Sequence, residues 1–193
     1  MNILKKRTTV EKKNKQIKED TRSGSLAYNR LDLQVSQAIH MAVELFKDSD
    51  YLFVLDHYDD ITVFNKENLP SAVSYYQVKS HEEAITISTV IREEWLSKMY
   101  LHMNNKTWNV EELGLITPCI LKINASKKDN IKEQVFNGEK TAFNDMDQAI
   151  QQKIRNSIAN ALSLPAEEVD LSKFVHMRTT LTISKHRDLA EQS

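Results

Sequence analysis

Apolar residues recur at Leu31, Val35, Ala38, Ile39, Ala42, Val43 and Phe46 with helical spacing, which predicts an amphipathic helix over 26–47. Gln34 falls at the edge of that stripe. The pattern then changes to short runs dense in branched and aromatic residues, which predict strands over 51–57, from Ile61 to Phe64, and over 72–79. Asp59-Asp60 reads as a turn, and Asn65 to Ser71, with Pro70, reads as a loop. Helical periodicity returns at Val90, Ile91, Trp95, Met99 and Met103, with Thr86 or Ser88 as the cap. An apolar run over 114–123 predicts another strand, and Pro118 inside it points to an edge position or a bulge. A charged loop around Lys127–Asp129 should lead to a short helix. Phe143, Met146, Ile150, Ile154, Ile158 and Ala161 then mark a longer helix that Leu164-Pro165 ends. Phe174 to Ile183 alternates as a last strand, and 186–193 reads as the start of one more helix. Strands that first meander and then alternate with helices predict a mixed α+β domain of the α/β type, its central mixed sheet flanked by helices.

Composition narrows this picture in three places. Of 193 residues, 27% are charged and 40% hydrophobic, the balance of a globular domain with a real core. The net charge of −1 predicts no strong global attraction to nucleic acid, but the charge is unevenly spread. Residues 1–22 hold eight Lys and Arg against three acids, and this basic, aromatic-free stretch reads either as an arm for phosphates or as a solubilising leader preceding a domain over 23–193. The single cysteine, Cys119, excludes an internal disulfide and fits a reducing cytoplasm. No apolar run is long enough to span a membrane. With only Gly24, Gly114 and Gly138, the chain lacks the glycines by which P-loop and dinucleotide folds bring backbone close to phosphate.

The residues that carry chemistry lie around the second and third strands. Period-2 geometry puts Gln77 and Lys79 on one face of their strand and Val78 on the other. If the two strands pair as a hairpin, Asp60, Gln77 and Lys79 converge at one spot. An acid and an amide oxygen can hold a hard divalent cation, and an ammonium beside them can support an attacking water, which is what metal-assisted phosphodiester hydrolysis needs. Asp59 competes with Asp60 for the ligand role, since a one-residue shift changes the face presented. Asp60 is the better candidate because Ile61 and Val63 then join Val78 on the core side. A second acid could come from Asp56 or Glu83. Ordinary turn and strand-end chemistry accounts for the same residues without any function.

The stretch from Gly24 to Gln34 (Gly-Ser-Leu-Ala-Tyr-Asn-Arg-Leu-Asp-Leu-Gln), the aromatic strand, Asp59-Asp60-Ile61 and Tyr76-Gln77-Val78-Lys79-Ser80 together resemble a known family. They look like the PD-(D/E)xK nucleases in the variant with Gln at the second acid. They are similar in particular to the nuclease domain of the CD-NTase-associated double-stranded-DNA endonucleases, effectors of cyclic-oligonucleotide anti-phage (CBASS) systems. The resemblance implies a restriction-endonuclease-like core and Mg²⁺-dependent cutting of duplex DNA, with Mn²⁺ as a substitute. It gives the metal-ligand role to Asp60, the second-acid position to Gln77, the catalytic lysine role to Lys79 and a site-facing position to Gln34. The cyclic-nucleotide-sensing domain usual in the family is expected to be missing here.

The expected function is therefore a metal-dependent double-stranded-DNA endonuclease of anti-phage defence, cytoplasmic and able to act as a homodimer. The rival reading is a catalytically inactive nuclease-fold module for DNA binding or protein assembly. His81 could touch phosphate. Lys127, Lys128, Lys132 and Lys140 could lie on a DNA backbone, while Trp95 and Met99 read as core and Glu93-Glu94 as a solvated pair.

Overall fold

The computed structural model describes residues 28–45, 50–56, 58–81, 83–104, 106–127 and 131–182. The basic leader and the expected C-terminal helix over 186–193 lie outside the described residues.

A helix over 28–45 (α1) comes first, matching the apolar stripe. Strands β1 (Leu52–Leu55), β2 (Ile61–Phe64) and β3 (Ala72–Val78) follow as an antiparallel meander, in the register Leu55↔Ile61 and Ile61↔Tyr76. The chain then makes a two-residue strand, β4 (Ile85–Thr86), and two short helices, α2 (Ile87–Arg92) and α3 (Trp95–Tyr100), followed by a 3-10 turn, Leu101–Asn104. Strand β5 (Asn109–Thr117) pairs parallel with β3, and β9 (Phe174–Arg178) pairs parallel with β5. Short strands β6 (Leu121–Ile123), β7 (Gln134–Phe136) and β8 (Lys140–Ala142) and the helix α4 (Gln148–Leu162) complete the fold. The main sheet runs β1-β2-β3-β5-β9-β8, and a second sheet runs β4-β6-β7. No helix among the described residues is long and apolar enough to cross a membrane.

Alternation along β3 and β5 divides the main sheet between two cores. Tyr75, Leu113, Leu115 and Phe174 pack with Val90, Trp95 and Met99 of α2 and α3 and with Ile150, Ile154 and Ile158 of α4. Ile61, Val63, Tyr76, Val78 and Ile116 pack against Leu33, Ala38 and Met41 of α1. The sheet thus has α1 on one face and the other helices on the opposite one. Ile61, Val63 and Val78 do share a core side, as expected from the sequence.

Four expectations are corrected. The helix expected from Val90 to Met103 is broken at Glu94, which takes a left-handed conformation (φ 57°) and starts a second helix in a new direction. Its cap is Thr86, whose hydroxyl accepts the Thr89 N–H at 3.1 Å. The run 114–123 is two strands in two different sheets. Pro118, with no N–H for a ladder, lies in the break, and β5 itself is central rather than an edge. The segment after Lys127 forms β7 and β8 rather than a short helix, in line with its alternating Val135 and Thr141 around Gly138. The last strand stops at Arg178, where the Thr179 hydroxyl accepts the Leu181 N–H and turns the chain.

Gly114 is fixed by packing. A Cβ there would come within 2.2 Å of the Tyr76 ring, which lies across the glycine from the neighbouring strand. Tyr76 is held in turn by its hydroxyl, which donates to Glu112 at 3.1 Å. Gly114→Ala should therefore lower stability by about 1–3 kcal/mol through overpacking, measured as a lower urea midpoint with an unchanged slope.

Candidate active site

The site is built where β2 begins and β3 ends. Antiparallel pairing places Ile61 opposite Tyr76, and Asp60 is the residue just before that rung. Pairing with β5 continues past β3, because the Lys79 N–H donates to the Ile116 carbonyl at 2.9 Å. The backbone leading into the candidate lysine is thereby fixed. The Val78 N–H donates to Asp60 Oδ2 at 2.7 Å, a short charge-assisted bond that ties the acidic turn to the strand end.

Asp60 and Lys79 line one pocket of about 390 Å³, together with Arg30 and Gln34 from α1, His81, and Glu93 and Trp95 from the α2–α3 junction. The Lys79 ammonium rests over the Trp95 ring, 5.5 Å from its centroid, and the His81 ring is also 5.5 Å from Trp95. The expected site-facing residue, Gln34, is brought to the same pocket. Gln77 is not among the pocket-lining residues. It is 8% exposed, and its Oε1 is buried without a hydrogen-bond partner. Asp59 does not line the pocket either: its Oδ1 accepts the Asp60 N–H at 3.1 Å and its Oδ2 lies 3.4 Å from His102 Nε2. Asp56 and Glu83 are exposed and line no part of it.

Burial works against both charges. It pushes the Asp60 carboxyl above its ordinary 3.8, while the Val78 N–H and the Lys79 charge pull the other way and Asp59 and Asp56 add to the rise. It pushes the Lys79 amine below its ordinary 10.5, while Asp60 and Asp59 favour the ammonium and Lys98 and Arg30 oppose it. Such paired perturbation in a cleft makes the two residues candidates for a functional site.

With this geometry in place, the comparisons with known proteins decide the family. A family model described as the Cap4, dsDNA endonuclease domain matches residues 22–190. The chain belongs to the Cap4 dsDNA endonuclease domain family. The pocket at the end of β3 lies inside the stretch of this Cap4 domain that the family model matches. Lamassu protein LmuA of Bacillus cereus (strain VD014) is 26% identical over 172 residues, which cover 88% of this chain and 46% of LmuA. The chain thus spans about half the length of that curated relative. No solved structure matches.

Sequence reasoning missed Arg30 and took Trp95 as core and Glu93 as solvated. Trp95 is both, 7% exposed and part of the pocket wall. Of the lysines considered for DNA, Lys140 is paired with Glu112, and Lys128 lies outside the described residues.

The two perturbed groups make a stability prediction. Asp60 binds its proton more tightly folded than unfolded, so stability falls as pH rises from about 3.8 through its raised folded value. Lys79 binds its proton less tightly when folded, so stability recovers as pH rises through its lowered value towards 10.5. The double variant Asp60→Asn/Lys79→Met should be more stable than the natural chain at pH 7, because it removes two half-buried charges that desolvation disfavours. Denaturant titrations in EDTA should show this gain shrinking towards pH 4 and again towards pH 10.

Proposed function

We propose that this chain is a Mg²⁺-dependent endonuclease that hydrolyses phosphodiester bonds of double-stranded DNA in anti-phage defence. The observation that carries the proposal is the convergence of Asp60 and Lys79 on one pocket in a Cap4 nuclease domain. The resemblance to effectors of anti-phage systems supports the defence role, and a single buried, free cysteine suits a cytoplasmic setting.

The donor set fits a hard cation. Asp60 supplies a carboxylate, and Gln77 supplies a buried carbonyl oxygen that lacks a partner and would otherwise cost about 1–3 kcal/mol. Among the described residues no cluster of three His, Cys, Asp or Glu side chains surrounds a common point, so backbone, water and DNA oxygens would have to complete the shell. When bound, Mg²⁺ would polarise the scissile phosphate and acidify a water. Lys79 would orient that water, and its lowered pKa leaves a larger share of it as the free amine than a surface lysine would have. Val78 holds Asp60 through its N–H, and Trp95 limits where the lysine head can go. Arg30 and His81, both exposed at the pocket, suit the flanking phosphates. Two copies related by symmetry would cut the two strands.

The amide at the second-acid position favours one rival, a nuclease fold that binds DNA or assembles without cutting. Plasmid nicking in Mg²⁺ or Mn²⁺ separates the two. Asp60→Ala and Lys79→Ala should each lose at least about 100-fold in cleavage rate while still binding DNA with an affinity that falls as salt rises. Cleavage undiminished in either variant would remove that residue from the mechanism. Absence of Mn²⁺ binding by calorimetry, with DNA binding intact, would favour the rival.

A further inference from the structure

Beside the pocket, on the side away from α1, the acidic turn is clasped by a second polar pair. Asp59 has a side chain only 8% exposed. One of its oxygens accepts the Asp60 N–H at 3.1 Å, and the other is buried with His102 Nε2 3.4 Å away, outside hydrogen-bond geometry. His102 stands on the 3-10 turn after α3, and its ring stacks on the fully buried Tyr75 with centroids 4.0 Å apart and planes 13° from parallel. Tyr58 closes the wall, edge-on to Tyr75 at 6.1 Å. The turn is also closed by the Asp56 N–H, which donates to the Asp60 carbonyl at 3.3 Å.

A carboxylate so placed needs a donor, because a buried charged oxygen without one is costly. His102 is the donor within reach, and the stack on Tyr75 leaves its ring little freedom to turn away. Through Asp59 it acts on the backbone N–H of Asp60, and so on the direction in which the Asp60 carboxylate meets Val78. We propose that Asp59 and His102 are positioning residues for the nuclease reaction, a pair that fixes the turn carrying Asp60 and so aims its carboxylate into the pocket. This rests on the reading of Asp60 as the metal-holding acid, but its structural part can be tested without metal.

The test compares the natural chain with His102→Phe, which keeps a ring on Tyr75 and loses the donor, and His102→Gln, which keeps a donor and loses the ring. Hydrogen exchange of the Val78 amide is followed in EDTA, with the Leu113 amide, bonded to the Lys173 carbonyl, as a reference for global opening. Steady-state plasmid cleavage in Mg²⁺ is measured beside it. The Phe variant should exchange Val78 about 10-fold faster with Leu113 unchanged, and should lose about 10–100-fold in kcat with KM for DNA unaltered, the range typical when the partner of a ligating residue is removed. The Gln variant should restore both. Equal acceleration of Val78 and Leu113 would assign His102 to packing alone and overturn the proposal. So would a Gln variant as impaired as Phe, or a rise in KM with kcat intact, which would make His102 a DNA contact. If the natural chain does not cut DNA at all, the proposed activity fails, and the exchange comparison still decides whether His102 aims Asp60.

Discussion

The bond from the Val78 amide to the Asp60 carboxylate joins two points that sheet pairing alone leaves loose. β2 and β3 pair up to Ile61 and Tyr76, and beyond that rung the chain before β2 becomes a turn. Without a donor at Val78 the Asp60 side chain would face solvent like any turn aspartate. With it, one carboxylate oxygen is fixed against the sheet. Burial then raises the proton affinity of Asp60 and lowers that of Lys79, so the surrounding fold disfavours the charged form of each. A polar group held in place against its own solvation needs little reorganisation when a reaction develops charge beside it.

The pocket sits at the rim of the sheet because two cores meet there. α1, packed on one face, brings Arg30 and Gln34, and the junction of α2 and α3 on the other brings Glu93 and Trp95. That junction exists because Glu94 adopts a left-handed conformation, at a cost of order 1 kcal/mol for a non-glycine residue. An unbroken helix would carry Trp95 along the axis of α2. The break redirects it under Lys79 and His81. Local strain is thus located where it shapes the wall of the site.

Much of this was legible in the residues themselves, for definite reasons. Alternation in β3 puts Val73 and Tyr75 in one core and Tyr76 and Val78 in the other, as counting requires, and the stripe of α1 is long enough to place Gln34 at its edge. The common core side of Ile61, Val63 and Val78 was also readable from their spacing. What could not be read depends on contacts between segments distant in sequence. The parallel pairing of β3 with β5 sets the end of the strand, and no local pattern announces it. The apolar run through Pro118 looks continuous although its halves enter different sheets, because the first half is buried from Leu113 to Thr117 and its periodicity is lost. Glu94 carries no glycine-like signal for its left-handed backbone. His102 lies more than forty residues from Asp59 in the sequence, and no spacing links the two.

The chemistry of the donor set bears on how such a site would work on the proposed reading. One carboxylate and one neutral amide give a cation less negative charge than two carboxylates would, so the protein alone should hold Mg²⁺ weakly. Mg²⁺ sites of this kind usually borrow oxygens from substrate phosphates. The same economy of negative charge has a second effect. The chain is close to neutral overall, with a net charge of −1, so it has no broad field to draw in a polyanion. A second carboxylate beside Asp60 would repel the backbone at the place where it must approach most closely. An uncharged Gln77 removes that repulsion and leaves Lys79 and Arg30 as the charges that meet phosphate first. Metal retention would then depend on bound DNA, which ties the assembly of the reactive site to the presence of its substrate.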